Sequence, residues 1–365
     1  MKFRLQSISA MISALFVGLA LAAGPIGAAA QPAQTKATSQ TVQKKAVAKK
    51  AVAKKPAVRK TAAKKTTAKT AKKRVVQKKT VRKTRRVVRR TGPSQATLAG
   101  LRKTPDPLAL SSSVAYIVDE NTGEELFNKN AGVELPIASV TKLMTAVVLA
   151  EAKLPMQEKI RITRADYVRS FAHSNLRNGM VMTREAVLKA ALMSSDNRAA
   201  HALARTYPGG MSVFVRKMNE KARELGMTDS TFADPTGLDN RNHSTARDLA
   251  KLVSAAHEYP EIRMASTLPA ARLRAGRSVI NLHTTNRLIG DPTWNIGVQK
   301  TGFTTAAGRC MVLQSQVGER NVVMVVLDSP NSAQRATDMR IMRNYVATQD
   351  KFNRAFTEAT PYELF

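Results

Sequence analysis

Cysteine is nearly missing from this chain: Cys310 is the single thiol in 365 residues, so no internal disulfide can form. A domain of the size left after the N-terminal tract buries enough apolar surface to fold without one. With no partner motif around it, Cys310 reads as a small buried hydrophobe and not as a reactive thiol. Metal-ligand spacing is missing too. The histidines are His173, His201, His243, His257 and His283, and none pairs with another at a ligating interval. His257-Glu258 opens like H-E-x-x-H, but position 261 is Glu and Pro260 precedes it. A metallopeptidase of that type is excluded, and no motif calls for a metal or an organic cofactor. After residue 30, no apolar run approaches the roughly 20 residues that span a bilayer.

Acidic residues are absent from the first hundred positions, the first being Asp106. The chain carries 59 Lys and Arg against 26 Asp and Glu, a formal charge of +33. Residues 1–105 hold 27 of the basic residues, which leaves 32 against all 26 acids in the remainder. Two charge regimes therefore share one chain. Residues 1–30 read as an export signal. Lys2 and Arg4 precede the apolar stretch from Ile8 to Ala23, Gly24-Pro25 breaks a helix, and Ala28-Ala29-Ala30 offers a small-x-small cleavage site. An uncleaved anchor is the alternative. The chain is thus expected to be exported and periplasmic, free or held at membrane or wall.

Residues 31–105 are built from Lys, Ala, Val, Thr and Arg, without one aromatic side chain to anchor a core. Self-repulsion and low hydrophobicity predict disorder. Such a charge suits a polyanion. Export directs the expectation to anionic lipid headgroups or wall carboxylates, at about 1 kcal/mol per basic side chain, and away from nucleic acid. A plain solvated spacer is the other reading.

From residue 112 the pattern changes. SVAYIVD (113–119), a turn at Asn121-Thr122-Gly123 and ELFNKN (125–130) predict a hairpin. Apolar residues at helical spacing fill 139–153, 184–193, 198–207 and 211–227. Thr245 and Asp248 form a capping-box-like start for another helix. Strands are expected at 294–300, 308–316 and 321–328, and a last helix over 333–349. Strands at both ends with helices between them place residues 106–365 in the α/β (α+β) class. The expected architecture is a mostly antiparallel sheet assembled from both ends around a helical insertion.

Three short motifs fall in order: Ser139-Val140-Thr141-Lys142 (S-x-x-K), Ser195-Asp196-Asn197 (S-x-N) and Lys300-Thr301-Gly302 (K-T-G). At a helix start the S-x-x-K spacing puts hydroxyl and amine on one face, one turn apart. A serine is a poor nucleophile until something accepts its proton. A buried lysine beside a second cation, for which Lys300 is the candidate, can lose its own proton and do so. The helix N-terminus adds N–H groups near a developing oxyanion. Ser195 can relay a proton to a leaving amine while Asn197 holds substrate backbone. Lys300 and Thr301 can bind a carboxylate, and Gly302 is expected to let a substrate lie along an edge strand unobstructed. Singly these signals are weak, since Ser139 alone could merely cap its helix. The ordered trio is characteristic of penicillin-binding proteins and class A β-lactamases.

PIASVTKLMTA (136–146), LMSSDNRAAHALA (192–204), LGMTDSTFADPTGL (225–238), STARDLAKL (244–252) and WNIGVQKTGFTTAAG (294–308) resemble the D-alanyl-D-alanine carboxypeptidases and endopeptidases. The likeness covers roughly residues 108–350 and leans to the small endopeptidase branch, the penicillin-binding protein 7 type. It implies the serine β-lactamase/DD-peptidase-like fold, a sheet flanked by helices plus an all-helical subdomain. It also implies covalent reaction with β-lactams and hydrolysis of peptidoglycan peptides. Carried over, Ser139 is the acylated serine and Lys142 the proton acceptor. Ser195 and Asn197 complete the catalytic set, and Lys300, Thr301 and Gly302 receive the substrate. The basic segment has no counterpart in the family pattern.

A class A β-lactamase would need a glutamate in E-x-x-L-N, and none lies between Asn197 and Lys300. Only 63 residues follow Gly302, enough for the end of the sheet and one helix but not for the extra β-domain of larger carboxypeptidases. Endopeptidase is therefore expected ahead of carboxypeptidase. A catalytically dead polyanion binder is the reading from another class, and the intact motifs oppose it.

Overall fold

The structure, a computed structural model, describes residues 92–170 and 172–359. The expected signal and most of the basic segment lie outside the described residues. Among the described residues, no helix is long and apolar enough to cross a membrane.

The chain enters through a four-residue helix, α1 (Gln95–Leu98), and a 3-10 turn at Leu101–Lys103. The first hairpin follows as β1 (Val114–Asp119) and β2 (Glu125–Lys129), then the short strand β3 (Leu135–Pro136). Helix α2 (Lys142–Glu151) leads to the strands β4 (Lys159–Arg161) and β5 (Val181–Thr183). Helices α3 (Arg184–Met193), α4 (Asn197–Arg205) and α5 (Gly210–Glu224) come next. After β6 (His243–Ser244) come α6 (Ala246–His257) and α7 (Pro260–Thr267), then the hairpin β7 (Ala270–Ala275) and β8 (Ser278–His283). Three long strands, β9 (Asn295–Thr304), β10 (Gly308–Val317) and β11 (Arg320–Ser329), precede the final helix α8 (Ser332–Ala359).

The main sheet runs β2-β1-β11-β10-β9, wholly antiparallel, so strands from both ends of the domain meet at the β1–β11 pair. Val323, Val325 and Leu327 of β11 face the helical insertion, while Val322, Met324 and Val326 face Ala336, Met339, Met342 and Val346 of α8. That two-residue alternation against a three-to-four-residue helical stripe is what covers both faces of the central strands. Helix α2 is buried over Lys142–Ala150, apolar on nearly every side, as befits a helix enclosed by others. Trp294, partly buried, packs against the α8 side of the core.

Several expectations need correction. The domain boundary expected at 106 lies earlier, because residues from Ser94 to Lys103 are docked on the sheet and not disordered. Thr97 Oγ1 and Arg102 Nη2 donate to the Asp328 carboxylate at 3.0 and 2.8 Å, and Gln95 N donates to Ala306 O at 2.9 Å. These are tertiary contacts, which no local periodicity announces. The Thr245 half of the capping box forms, its hydroxyl accepting from Asp248 N at 3.2 Å. The Asp248 carboxylate instead accepts from Asp229 N and Ser230 Oγ. Helix α7 and the hairpins β4–β5 and β7–β8 went unread, and α8 runs ten residues past its expected end.

Asp328 anchors the entry segment. It is buried, takes a left-handed φ of 54°, and also accepts from Ser113 Oγ at 2.6 Å. Gly308 makes room for it, since a Cβ there would lie 2.1 Å from Asp328 Oδ1. Asp328→Ala strands three donors and keeps the strained φ, so we expect a loss of about 3 kcal/mol. Thermal melting of the variant checks this, and an unchanged Tm would contradict the anchoring role.

Candidate active site

Ser139 is half-buried on a 3-10 turn, Ala138–Thr141, that runs directly into α2. Ala138 has a φ of 50°, which a residue with a Cβ adopts only when its surroundings impose it. The imposing contacts are visible. Thr141 Oγ1 donates to Ala138 O at 2.8 Å, and Ile137 N donates to Asn242 O at 3.2 Å. Two glycines then close on the turn from outside. A Cβ on Gly237 would stand 1.8 Å from Ala138 O, and one on Gly302 would stand 3.0 Å from Ser139 N and 3.1 Å from Ala138 Cβ. This adds a packing role to the one expected for Gly302. It does lie on an edge strand, β9, and its missing side chain makes room for the Ser139 turn.

Lys142 is fully buried, and its Nζ reaches three oxygens: Ser139 Oγ at 2.8 Å, Asn197 Oδ1 at 2.6 Å and Thr236 O at 2.7 Å. An ammonium donates to all three. Burial holds its pKa down to about 7, although the carboxylates of Asp234 and Asp196 pull the other way. Once a proton is lost, the amine keeps two donors and one lone pair. Asn197 Oδ1 and Thr236 O can only accept. The lone pair is therefore left facing Ser139, whose hydroxyl alone among the three can donate back.

Ser195 carries the second non-glycine left-handed φ of the site, 58°. Its Oγ accepts from Lys300 Nζ at 2.9 Å, and Lys300 also donates to Thr301 O at 2.7 Å. The next residue, Asp196, caps α4 by accepting from Ala199 N at 3.0 Å, which starts that helix at Asn197. All seven residues expected from the motifs thus converge, as two Lys–Ser pairs with Asn197 bound to one of them. The expected electrostatic cause shifts, however. Burial is the leading reason that both lysines sit below the usual lysine range, and it is Lys300 that the charges of Lys142 and Arg335 depress further.

Some contributors escaped sequence reading. Asp234 accepts from Thr236 N, Gly237 N and Asp239 N at 2.7, 2.6 and 2.9 Å, folding a tight loop that presents Thr236 O to Lys142. The Asp-Pro-Thr-Gly run at 234–237 was the available signal, and it was read for resemblance only. Thr285 Oγ1 lies 2.6 Å from Thr301 Oγ1, and Thr285 N donates to Met193 O at 3.2 Å, which ties the K-T-G strand to the end of α3. Beside Asn197 opens a cleft of about 530 Å³ lined by Ser170, His173, Asn175 and Arg177. Cys310 is buried and its thiol is pushed up to about 12 by that burial, which agrees with an inert apolar role.

A buried amine aimed at a serine one turn before it, with a second Lys–Ser pair against an edge strand, defines a serine acyl-transfer enzyme of the penicillin-recognising kind. The family model described as D-alanyl-D-alanine carboxypeptidase matches residues 101–331, and the chain belongs to that family of serine DD-peptidases. It is similar to the D-alanyl-D-alanine endopeptidase of Pseudomonas aeruginosa, 41% identical over 243 residues that cover 66% of this chain and 78% of that protein. The Escherichia coli K12 endopeptidase is 39% identical over 243 residues, with coverage of 66% and 78%. Among solved structures, a Streptomyces DD-transpeptidase superposes with a TM-score of 0.62 at 28% identity, covering 66% of this chain and 98% of that one. A Listeria monocytogenes penicillin-binding protein in its ampicillin-bound form gives 0.58 at 30% identity, covering 66% and 99%.

The glycine contacts order two variants. Gly237→Ala meets backbone at 1.8 Å and a φ of 80°, whereas Gly302→Ala asks the Ser139 turn to yield by a few tenths of an ångström. Gly302→Ala should fold and acylate with penicillin about tenfold more slowly. Gly237→Ala should lose both stability and acylation. Circular dichroism melts and timed labelling with a fluorescent penicillin check the order, and a Gly237→Ala protein that acylates normally would refute it.

Proposed function

We propose that this chain is an exported DD-endopeptidase that cuts D-alanyl cross-links of peptidoglycan through an acyl-enzyme on Ser139. The carrying observation is the 2.8 Å contact between Lys142 Nζ and Ser139 Oγ, with the lysine fully buried and its pKa near 7. Neutral Lys142 takes the Ser139 proton as Oγ attacks the D-alanyl carbonyl carbon. The oxyanion that forms is met by N–H groups at the start of the Ser139 turn, which have no intrahelical acceptor. As the C–N bond breaks, the Ser195 hydroxyl gives its proton to the leaving amine and recovers one from Lys300. Asn197 orients Lys142 and the substrate backbone, and Lys300 and Thr301 take the substrate carboxylate along β9. Lys142 then gives up its proton and Lys300 regains one through the solvent. Water attacks the ester with neutral Lys142 accepting its proton and returning one to Ser139 Oγ as the acyl C–O bond breaks. A β-lactam acylates Ser139 likewise, and without an E-x-x-L-N glutamate the adduct is long-lived.

The endopeptidase preference is supported by relatives of that name at 41% and 39% identity, whereas a carboxypeptidase of Bacillus subtilis stands at 31%. We also propose that residues 1–30 direct export to the periplasm and that the basic segment holds the enzyme to anionic wall or membrane surface.

Labelling by a fluorescent penicillin should be abolished by Ser139→Ala. In the unaltered chain its rate should rise with pH through about 7, because the lysine acts only after losing its proton and its pKa is lowered to there. A rate that falls across that range would refute Lys142 as the acceptor. Purified sacculi should release monomeric from dimeric muropeptides, and release of free D-alanine alone would make the enzyme a carboxypeptidase. Deleting residues 31–91, which spares the docked segment, should weaken salt-sensitive binding to sacculi without slowing acylation. Unchanged binding would reduce the segment to a spacer.

A further inference from the structure

Between Glu261 and Asp291 the chain holds five arginines and no acid. The whole of residues 106–365 has 32 basic residues against 26 acids, so this one stretch supplies nearly all of the excess. Three of the five sit on the β7–β8 hairpin. Arg272, Arg274 and Arg277 are exposed. None of their guanidinium groups makes a hydrogen bond or ion pair among the described residues. Four other surface arginines are ion-paired, Arg205 with Asp166, Arg241 with Asp239, Arg247 with Glu125 and Arg320 with Asp119, whereas the hairpin places its unpaired arginines on one short element. Leaving three guanidiniums unpaired side by side is electrostatically unfavourable unless an anion joins them.

The hairpin's geometry gives these charges a direction. Arg272 pairs in register with Asn281 and Arg274 with Val279, so both arginines share the exposed face with alternate residues of β8. That alternation runs on through His283 to Thr285, also exposed, whose hydroxyl meets Thr301 at 2.6 Å. A six-residue strand covers about 20 Å, so the face reaches from the hairpin tip to the substrate-binding end of the site. The tip is fixed, with Gly276 N donating to Val181 O at 3.0 Å. Exposed Lys159 joins Arg274 around a cleft of about 340 Å³ there.

We infer that the exposed face of β7–β8 is a docking rail for the carboxylate-bearing stem peptides of the wall polymer, leading to the scissile bond at Thr301. The inference rests on the wall-peptide reading above. Guanidiniums match carboxylates in a bidentate fork, and peptide stems present carboxylates at intervals that a row of arginines can follow. A lipid surface is the poorer fit, because Val279 is the one large apolar side chain projecting from this face. Engagement here binds the polymer in the ground and transition states alike, so it acts on KM and not on kcat.

The test compares the full chain with its Arg272→Glu, Arg274→Glu, Arg277→Glu triple variant on purified cross-linked sacculi. Three reversed exposed charges should raise KM about tenfold at low salt, with kcat and penicillin acylation unchanged and the gap closing as salt is added. The corresponding triple lysine variant should retain the low KM. An unmoved KM overturns the inference, as does a slowed acylation, which would make the arginines structural. Loss of binding to phosphatidylglycerol vesicles with an unmoved KM on sacculi would hand the face to lipid and overturn it too. If the unaltered chain releases no fragments from sacculi, the endopeptidase reading falls and this inference with it. An active chain with an unmoved KM removes this inference alone.

Discussion

The amine of Lys142 lies at full burial among three oxygens, with no carboxylate in direct contact. Removing an ammonium from water is costly unless its donors are all met, and here three acceptors meet three protons. The balance is fine enough that burial brings its pKa down to about 7, where charged and neutral forms are of comparable weight near neutral pH. Each acceptor comes from a different part of the chain: the Ser139 turn, the start of α4, and the loop folded by Asp234. Those three segments must close on one another for the lysine to be tolerated, so the reactive contact and the packing of the helical insertion are one constraint.

Backbone strain is concentrated at the same place. Ala138 and Ser195 both hold left-handed φ values, and each lies at or next to a serine that faces a lysine. Such conformations cost about 1–3 kcal/mol each and persist only where surroundings over-determine them. The turn before Ser139 is over-determined by Gly237 on one side and the edge strand at Gly302 on the other. The link at Ser195 is held by Asp196, which caps α4 below it while its own N–H donates to Ala190 O. Helix capping therefore does chemical positioning, since it decides where Asn197 begins and hence where its amide meets Lys142.

The parts of this arrangement that were legible in the sequence share a property: their signals are local. The S-x-x-K spacing, the three long β-branched strands and the Thr245 cap each follow from neighbours within a few positions. The unread parts depend on distant residues. Docking of Ser94–Lys103 rests on Asp328, more than two hundred residues away in sequence. The β4–β5 pair has three residues to a strand, too few for any period to stand out. The edge-strand position of Gly302 is legible, but its close approach to the Ser139 turn is not, because the direction of an absent Cβ is fixed by tertiary packing. Of the two causes expected to depress Lys142, burial holds, whereas the neighbouring charge acts in the other direction, from Lys142 on Lys300.

The position of β9 resolves a tension in the design. An unpaired edge strand ten residues long offers free N–H and C=O groups to any extended chain, which is a hazard for a soluble domain. A peptidase that binds extended peptides needs such an edge. Here the strand is furnished so that only part of it stays open. Thr301 is tied to Thr285, and Lys300 turns inward to Ser195. Phe303, exposed at 42%, is covered on its face by the Arg309 guanidinium at 4.4 Å. Pairing by an arbitrary strand would have to pass these groups, and in the proposed reaction the same hydroxyl and amine would receive the substrate carboxylate. Edge exposure and, in the proposed reaction, substrate selection thus fall to the same few side chains, and the antiparallel sheet behind them, buried on both faces, holds their spacing fixed.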